Sequence, residues 1–419
     1  MRTSDRRKDP LMPRSLVPLL ATGALTLTLL AAPPAAAQQP TGADEVRTWN
    51  ETAMATLVAE AVVAPEQALY LAYVHRAVYD GAHRAAHRHG RASVGAAVAS
   101  AAHTVLGTHF PDQREALDTT LDTSLSAVRD EDERVRGARI GRRAAYRLLA
   151  RRADDGLNGS PLPAPVPGPG VWSPQPPNVV GMSSWLGSVR PFSLRSPDQF
   201  RPKPPPGLLS RRWARDYEEV RAVGGTVSAT RTPQQTEVAR FWSDPPFVQN
   251  QRGLREYSDR AGLGALATAR LFALADTAAA DGLIACFDAK YHYAFWRPVR
   301  AVPAGHTDGN PRTVADPSWS PLLAVTPHHP EYPSAHSCSS TALSRTVAAL
   351  SRGRLDLVLS STATGTTRHY GSVRQLVTEV GDARVWGGVH WRFATDAGAA
   401  IGRKVSRAVL GQAQRGHAH

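Results

Sequence analysis

Cysteine is almost absent from this chain: Cys286 and Cys338 are the only two in 419 residues. That count excludes a cysteine-built metal cluster and a disulfide framework, and leaves either one bridge or two buried thiols. Long uncharged apolar runs are also missing after the N-terminal segment. The best later candidate is punctuated by Asp276, Asp281 and Asp288, so no bilayer-spanning segment and no stable membrane insertion are expected. There is no zinc-finger spacing, no basic helix with base-reading polar residues and no interleaved aromatic–basic run, which argues against nucleic-acid binding. Strand signals are few, and no internal repeat is visible.

Positive charge is plentiful. The formal net charge is +13 at pH 7; residues 1–37 hold five basic and two acidic residues, which leaves residues 38–419 at +10. Such a balance favours anionic partners, but it is mostly arginine in a chain rich in Ala, Arg, Gly and Pro, as coding bias would produce. The first 37 residues combine a cationic start, the apolar stretch "SLVPLLATGALTLTLLAAPP" and a small-residue "AAA" site before Gln38. Together these predict a secretory signal peptide over 1–37 and an exported mature protein over 38–419.

Apolar residues at three- and four-residue spacing predict helices through Glu45 to about Gly90, then at about 92–109, 112–129 and 131–155. Residues 157–210 change character, with "GSPLPAPVPGPGVWSPQPPNVVG" and "FRPKPPPGLLS" barring regular structure. Trp172, Trp185, Phe192 and Phe200 favour an ordered wrap over a linker, since flexible linkers seldom carry so many large apolar side chains. Helical patterns resume at 211–223, 233–243, 261–296, 337–351, 370–384 and 391–412. The expected fold is all-α, a single helical bundle with a proline-rich irregular excursion.

Three segments put a histidine or a cation at a predicted helix end. In "KYHYAFWRP", Lys290 and Arg297 are seven apart, nearly two turns, which predicts one shared face before Pro298. The plain alternative is a snorkelling surface pair. In "HPEYPSAHSCSS" the prolines and Glu331 give an extended lead-in to a helix beginning near Ser334. The amides of Ser334, Ala335 and His336 then belong to the orphan N–H groups of a first turn, an anion site reinforced by the helix dipole. His336 stands where a proton is exchanged with a bound group, or simply fills a loop. In "ARVWGGVHWRFATDAG", Gly387-Gly388 breaks the helix between Arg384 and His390 and lets the two converge, with His390 at the start of the last helix. Three cations, helix N-termini and two histidines form a kit for holding an oxyanion.

The order K-x6-R-P, P-S-x-H, R-x5-H resembles the signature of the vanadium-dependent haloperoxidase and type-2 phosphatidic acid phosphatase superfamily. "FWRP", "YPSAH" and "GVHWRF" look closer to the haloperoxidase branch. The motif-bearing part spans Lys290 to Asp396. The resemblance implies that Lys290, Arg297 and Arg384 donate to the oxyanion, with Ser334 and the Ala335 amide completing the cradle. His390 would be the axial ligand of vanadate, and His336 the acid–base group. The implied reaction takes hydrogen peroxide, a halide and a small organic acceptor. The alternative is a metal-free acid phosphatase in which His390 becomes phosphorylated. Two departures stand out: Ala335 replaces a usual glycine, raising the prospect of strain if φ > 0 is needed there. Ala394 also replaces an acidic residue often found four after the last histidine, leaving Asp396 six after it. The resemblance also implies that His329, five before Ser334, occupies a position associated with halide choice, where a histidine suits bromide; equally, "PHHP" reads as a solvated turn.

Overall fold

The computed structural model describes residues 41–88, 91–174 and 178–415; the expected signal peptide, residues 1–37, lies outside them. Helix starts follow local chemistry. α1 (Gly42–Ala59) opens on a capping box in which Thr41 and Asp44 satisfy each other's backbone amides. α2 (Ala64–Ala86) follows, then α3 (Val94–His109), capped by Ser93, α4 (Arg114–Ser126) and α5 (Glu131–Arg151), capped by Asp130. After the proline-rich excursion come α6 (Arg211–Val223), α7 (Pro233–Phe241), α8 (Pro246–Arg260) and the long α9 (Ala265–Tyr293). The short α10 (Pro298–Ala301) precedes α11 (Ala335–Leu350), α12 (Val373–Trp386) and α13 (Arg392–Arg415). Between α11 and α12 lies one antiparallel hairpin, β1 (Leu357–Ser360) and β2 (Thr367–Tyr370), with Leu357 opposite Tyr370. Among the described residues the fold is all-α apart from that hairpin. No described helix is long and apolar enough to cross a membrane.

α9 is apolar nearly all round and is buried from Thr268 to Phe287 almost without interruption, as expected of a helix at the centre of a bundle. α2, α11 and α13 pack on it, α3 packs on α5, and α13 lies along α11. The last contact is close because Gly398 and Gly402 face the start of α11. A Cβ there would lie 2.5 Å from the Ser334 carbonyl oxygen and 2.6 Å from that of Cys338. A second apolar cluster, built on Trp213, Tyr217, Trp296 and Trp391, fixes the lead-in to α13. The Trp391 ring meets Trp213 edge-on at 4.8 Å and stacks on Tyr217 at 6.0 Å.

The excursion is an ordered wrap across its described part. Trp172, Trp185 and Phe192 are buried. The amides of Phe192 and Ser193 donate to the buried Asp281 carboxyl at 2.7 Å each. The wrap also ties down the segments that carry the first two motifs: the Trp172 amide donates to the Ala294 carbonyl, and the Met182 amide to the His328 carbonyl. The hydroxyls of Tyr293 and Tyr332 donate to the carbonyls of Pro202 and Lys203.

Candidate active site

Lys290 and Arg297 converge, but not by sharing a helix face. α9 ends at Tyr293, Ala294 turns the chain with φ +44°, and Arg297 lies beyond as the N-cap of α10. Pro298 opens that new helix rather than ending the old one. The Lys290 ammonium, fully buried, donates to the carbonyls of Pro330 at 2.8 Å and Glu331 at 3.0 Å. Arg297, also buried, donates through Nε to the His329 carbonyl at 2.8 Å and through Nη1 to the Val389 carbonyl at 2.9 Å. Its Nη2 meets His329 Nδ1 at 3.0 Å. One proton on the ammonium and two on the guanidinium remain for a ligand. Neither residue is a snorkelling surface cation.

α11 begins at Ala335 with Ser334 as N-cap, its hydroxyl accepting from the Ser337 amide. The Ser334 amide is not one of the free donors, because it is held by the Ala394 carbonyl of α13 at 3.0 Å. The amides of Ala335 and His336 have no protein partner and remain as unpaired donors of the helix's first turn. Ala335 is in ordinary helical conformation, so replacing glycine there brings no left-handed strain. The half-buried His336 ring makes no hydrogen bond to the protein. Burial and the charges of Arg384, Arg297 and Lys290 hold its pKa well below the usual histidine value.

Arg384 lies in the last turn of α12, and Gly388, with φ +72°, reverses the chain so that His390 comes back beside it. Arg384 donates through Nη1 to the Trp242 carbonyl at 2.9 Å, while its buried Nε has no partner. The buried His390 is kept neutral by desolvation and by the summed fields of Arg297, Lys290, Arg384 and His329. His390 Nδ1 lies 2.8 Å from Glu331 Oε1, and Nε2 has no protein partner. The same cluster depresses the cations: burial pulls Lys290 down to about 8. Burial pushes Glu331 up to about 8 against the pull of the Trp391 amide, Lys290 and Arg297.

His329 is 4% exposed, so the PHHP turn is not solvated at this position. Its Nδ1 lies 3.0 Å from Arg297 Nη2, which only donates, and 3.1 Å from the Pro330 carbonyl, which only accepts, so the ring tautomer decides which of the two it bonds. Burial and the nearby Lys290 and Arg297 keep its ring uncharged. Asp396 is turned outward, its side chain 64% exposed and 3.9 Å from Arg212, and it does not reach His390. Cys286 and Cys338 are buried free thiols. Sequence spacing does not reveal Glu331 as a neighbour of His390, because the contact joins residues 59 apart. The one signal was an acid placed among prolines and aromatics in an otherwise uncharged string.

Residues 270–418, which contain all three motifs, match the family model described as VCPO second helical-bundle domain. The chain is also 28% identical over 267 residues to vanadium chloroperoxidase of Curvularia inaequalis. The likeness is to the haloperoxidase branch of that superfamily. The match covers 47% of this chain and 43% of the Curvularia protein, so the chain spans less than half the length of that relative. In overall fold, a bacterial vanadium-dependent iodoperoxidase superposes with a TM-score of 0.74 at 21% identity, covering 88% of this chain and 96% of its own. A bacterial vanadium-dependent chloroperoxidase in holo form gives 0.66 at 19% identity, covering 84% and 93%. At such identities these two structures speak for the shared helical architecture.

Proposed function

We propose that the protein is a secreted vanadium-dependent haloperoxidase. Hydrogen peroxide, halide and a proton would yield hypohalous acid, or an equivalent halogenating species, and water; a small organic acceptor is then halogenated. The observation that carries this reading is a buried neutral histidine, His390, with an unpaired Nε2 in the combined field of Lys290, Arg297 and Arg384. A tetrahedral oxyanion such as vanadate suits this donor set. The orphaned Arg384 Nε needs an acceptor, and the unused protons of Lys290 and Arg297 and the Ala335 and His336 amides need the same.

Lys290, Arg297, Arg384, the Ser334 hydroxyl and the Ala335 amide would hold the oxygens, and His390 Nε2 would offer its lone pair to the central atom. Vanadate, when bound, would supply a Lewis-acidic centre that takes up peroxide and makes it open to attack by halide. His336, uncharged at neutral pH, is the base in reach of that chemistry: it accepts a proton from peroxide and holds it for return to the departing oxygen. Three buried cations keep the ring from charging until an anion is present. The hydrogen bond of His390 Nδ1 to a carboxyl group also suits capture of a phosphoryl group, so a metal-free acid phosphatase is the second reading.

Purified protein assayed with and without orthovanadate separates them. The expected result is bromide oxidation by peroxide that depends on vanadate, with little hydrolysis of a phosphomonoester. Hydrolysis without any halide oxidation would transfer the assignment to the phosphatase.

A further inference from the structure

The acid that sequence spacing offers to His390, Asp396, faces solvent, and Ala394 has no acidic group. The place beside the imidazole is taken instead by Glu331, which arrives from the loop before α11. We propose that Glu331 is the positioning residue of His390: it holds the ring with Nδ1–H toward its own carboxyl group and the Nε2 lone pair toward the oxyanion cradle. This deepens the haloperoxidase reading and rests on it for the role of Nε2; the statement about ring orientation stands on geometry alone.

Glu331 is fully buried and its backbone is pinned at both ends, the amide donating to the Phe295 carbonyl at 2.9 Å and the carbonyl accepting from Lys290 at 3.0 Å. Its side chain therefore has little freedom to follow the histidine; the histidine must adapt to it. Oε1 accepts from the Trp391 amide at 2.9 Å, a group that can only donate. The same oxygen meets His390 Nδ1 at 2.8 Å. Any carboxyl proton is accommodated at Oε2, which is buried and has no partner, so Oε1 stays an acceptor in either protonation state. A neutral imidazole has one N–H, and an acceptor at Nδ1 assigns it there, leaving Nε2 bare. Because one oxygen grips both the ring of His390 and the next residue's amide, it fixes the ring and the backbone that carries it. Trp391, locked by Trp213, Tyr217 and its own Nε1–H bond to the Trp296 carbonyl at 3.2 Å, anchors that backbone from the other side. Outer partners of this kind fix the tautomer of a ligating histidine, and their loss typically costs about 10- to 100-fold in affinity.

The test uses the purified protein with 15N-labelled histidine, the His390 ring being assigned by comparison with a His390→Gln sample. Ring nitrogen shifts should show His390 protonated at Nδ1 and bare at Nε2; an Nε2–H ring in the unmodified protein overturns the proposal without any variant at Glu331. Glu331→Met, similar in length but with no acceptor, should mix the tautomers and weaken binding of tungstate, a non-reactive tetrahedral oxyanion, by about 10- to 100-fold. Glu331→Gln keeps an acceptor in place and should recover the single tautomer and most of the affinity. A folded Glu331→Met protein with unchanged ring shifts and unchanged affinity, or a Gln variant with scrambled tautomers, overturns it as well. If the Met variant does not fold, the unmodified ring and the Gln variant decide. Failure of the unmodified protein to bind tungstate would count against the oxyanion reading, while the ring shifts would still decide the role of Glu331.

Discussion

His329 Nδ1 lies 3.0 Å from Arg297 Nη2 and its ring is sealed against the Phe287 ring at 5.1 Å, so its influence on chemistry passes through the arginine rather than through charge of its own. In the tautomer that accepts from Arg297, His329→Phe keeps a ring of similar size, removes that acceptor and leaves one guanidinium N–H for a bound oxyanion. A hydrogen bond to a charged group is worth about 1.5–3 kcal/mol, so a redistribution of this size can change relative halide rates by about tenfold or more. The unmodified enzyme is expected to oxidise bromide far better than chloride, and the variant to shift the ratio toward chloride, measured as steady-state rates with each halide at matched peroxide and pH. Efficient chloride oxidation by the unmodified protein would sink the idea. His390→Ala, which removes the side chain that the proposed function puts on the central atom, is expected to abolish activity of either kind while far-ultraviolet circular dichroism stays helical. Retained activity would refute the site. At this scale the sequence was informative about residue types and order, because Lys290, Arg297, Ser334, His336, Arg384 and His390 each sit at a helix end or break that local rules announce. It was silent on Glu331, whose role depends on a contact between segments that only packing brings together. It also misplaced the Ser334 amide, since nothing local reveals the Ala394 carbonyl that takes it.

Elements are held in place by small residues and by caps. Gly398 and Gly402, one turn apart, let α13 lie against the first turns of α11, and that contact sets the position of the helix N-terminus whose amides face the site. In Gly402→Ala the added Cβ would stand 2.6 Å from the Cys338 carbonyl oxygen and 2.7 Å from Thr341 Cβ, both in a packed interface. Overpacking of this kind costs about 1–3 kcal/mol, so the melting temperature should fall, and tungstate affinity should fall with it as α11 is pushed away. A variant that loses stability but binds tungstate normally would show that this helix pair does not position the cradle. Most helices were legible as periodic runs; α6 falls at the expected residues, and α7 starts at Pro233, where the expected run begins. α8 was missed because it opens on Pro245-Pro246 and carries the polar runs 249–252 and 258–260, which read as loop until the rest of the bundle offers it a face. The hairpin escaped for a related reason: its two strands are four residues each, too short for a period to register.

At the scale of the whole molecule, positive charge is spread over the surface but the site concentrates it where water is excluded. That concentration predicts how oxyanion binding and stability depend on pH. Lys290, pulled down to about 8 by burial, carries its charge in the ligand-free fold only below that pH, and Glu331, pushed up to about 8, is uncharged below it. Both changes above pH 8 make the site more negative, so both oppose a dianion. A bound dianion favours protonated Lys290 and Glu331, which raises both pKa values, so binding above pH 8 must take up protons. Affinity for tungstate, a dianion throughout the range, should therefore be full below pH 8 and fall by about tenfold or more per pH unit above it. A ligand that binds only the native state stabilises it by RT ln(1 + [L]/Kd), about 2.7 kcal/mol at a hundred times Kd. The rise in melting temperature produced by a fixed tungstate concentration should accordingly be large at pH 7 and mostly lost by about pH 9.5. Lys290→Gln should lower the rise at pH 7 and flatten its decline, because the proton taken up at Lys290 is gone and only that of Glu331 remains. Thermal melts of both proteins across this range, with and without tungstate, make the check: a rise of equal size at pH 7 and 9.5 in the unmodified protein would mean that the anion sits away from these two groups.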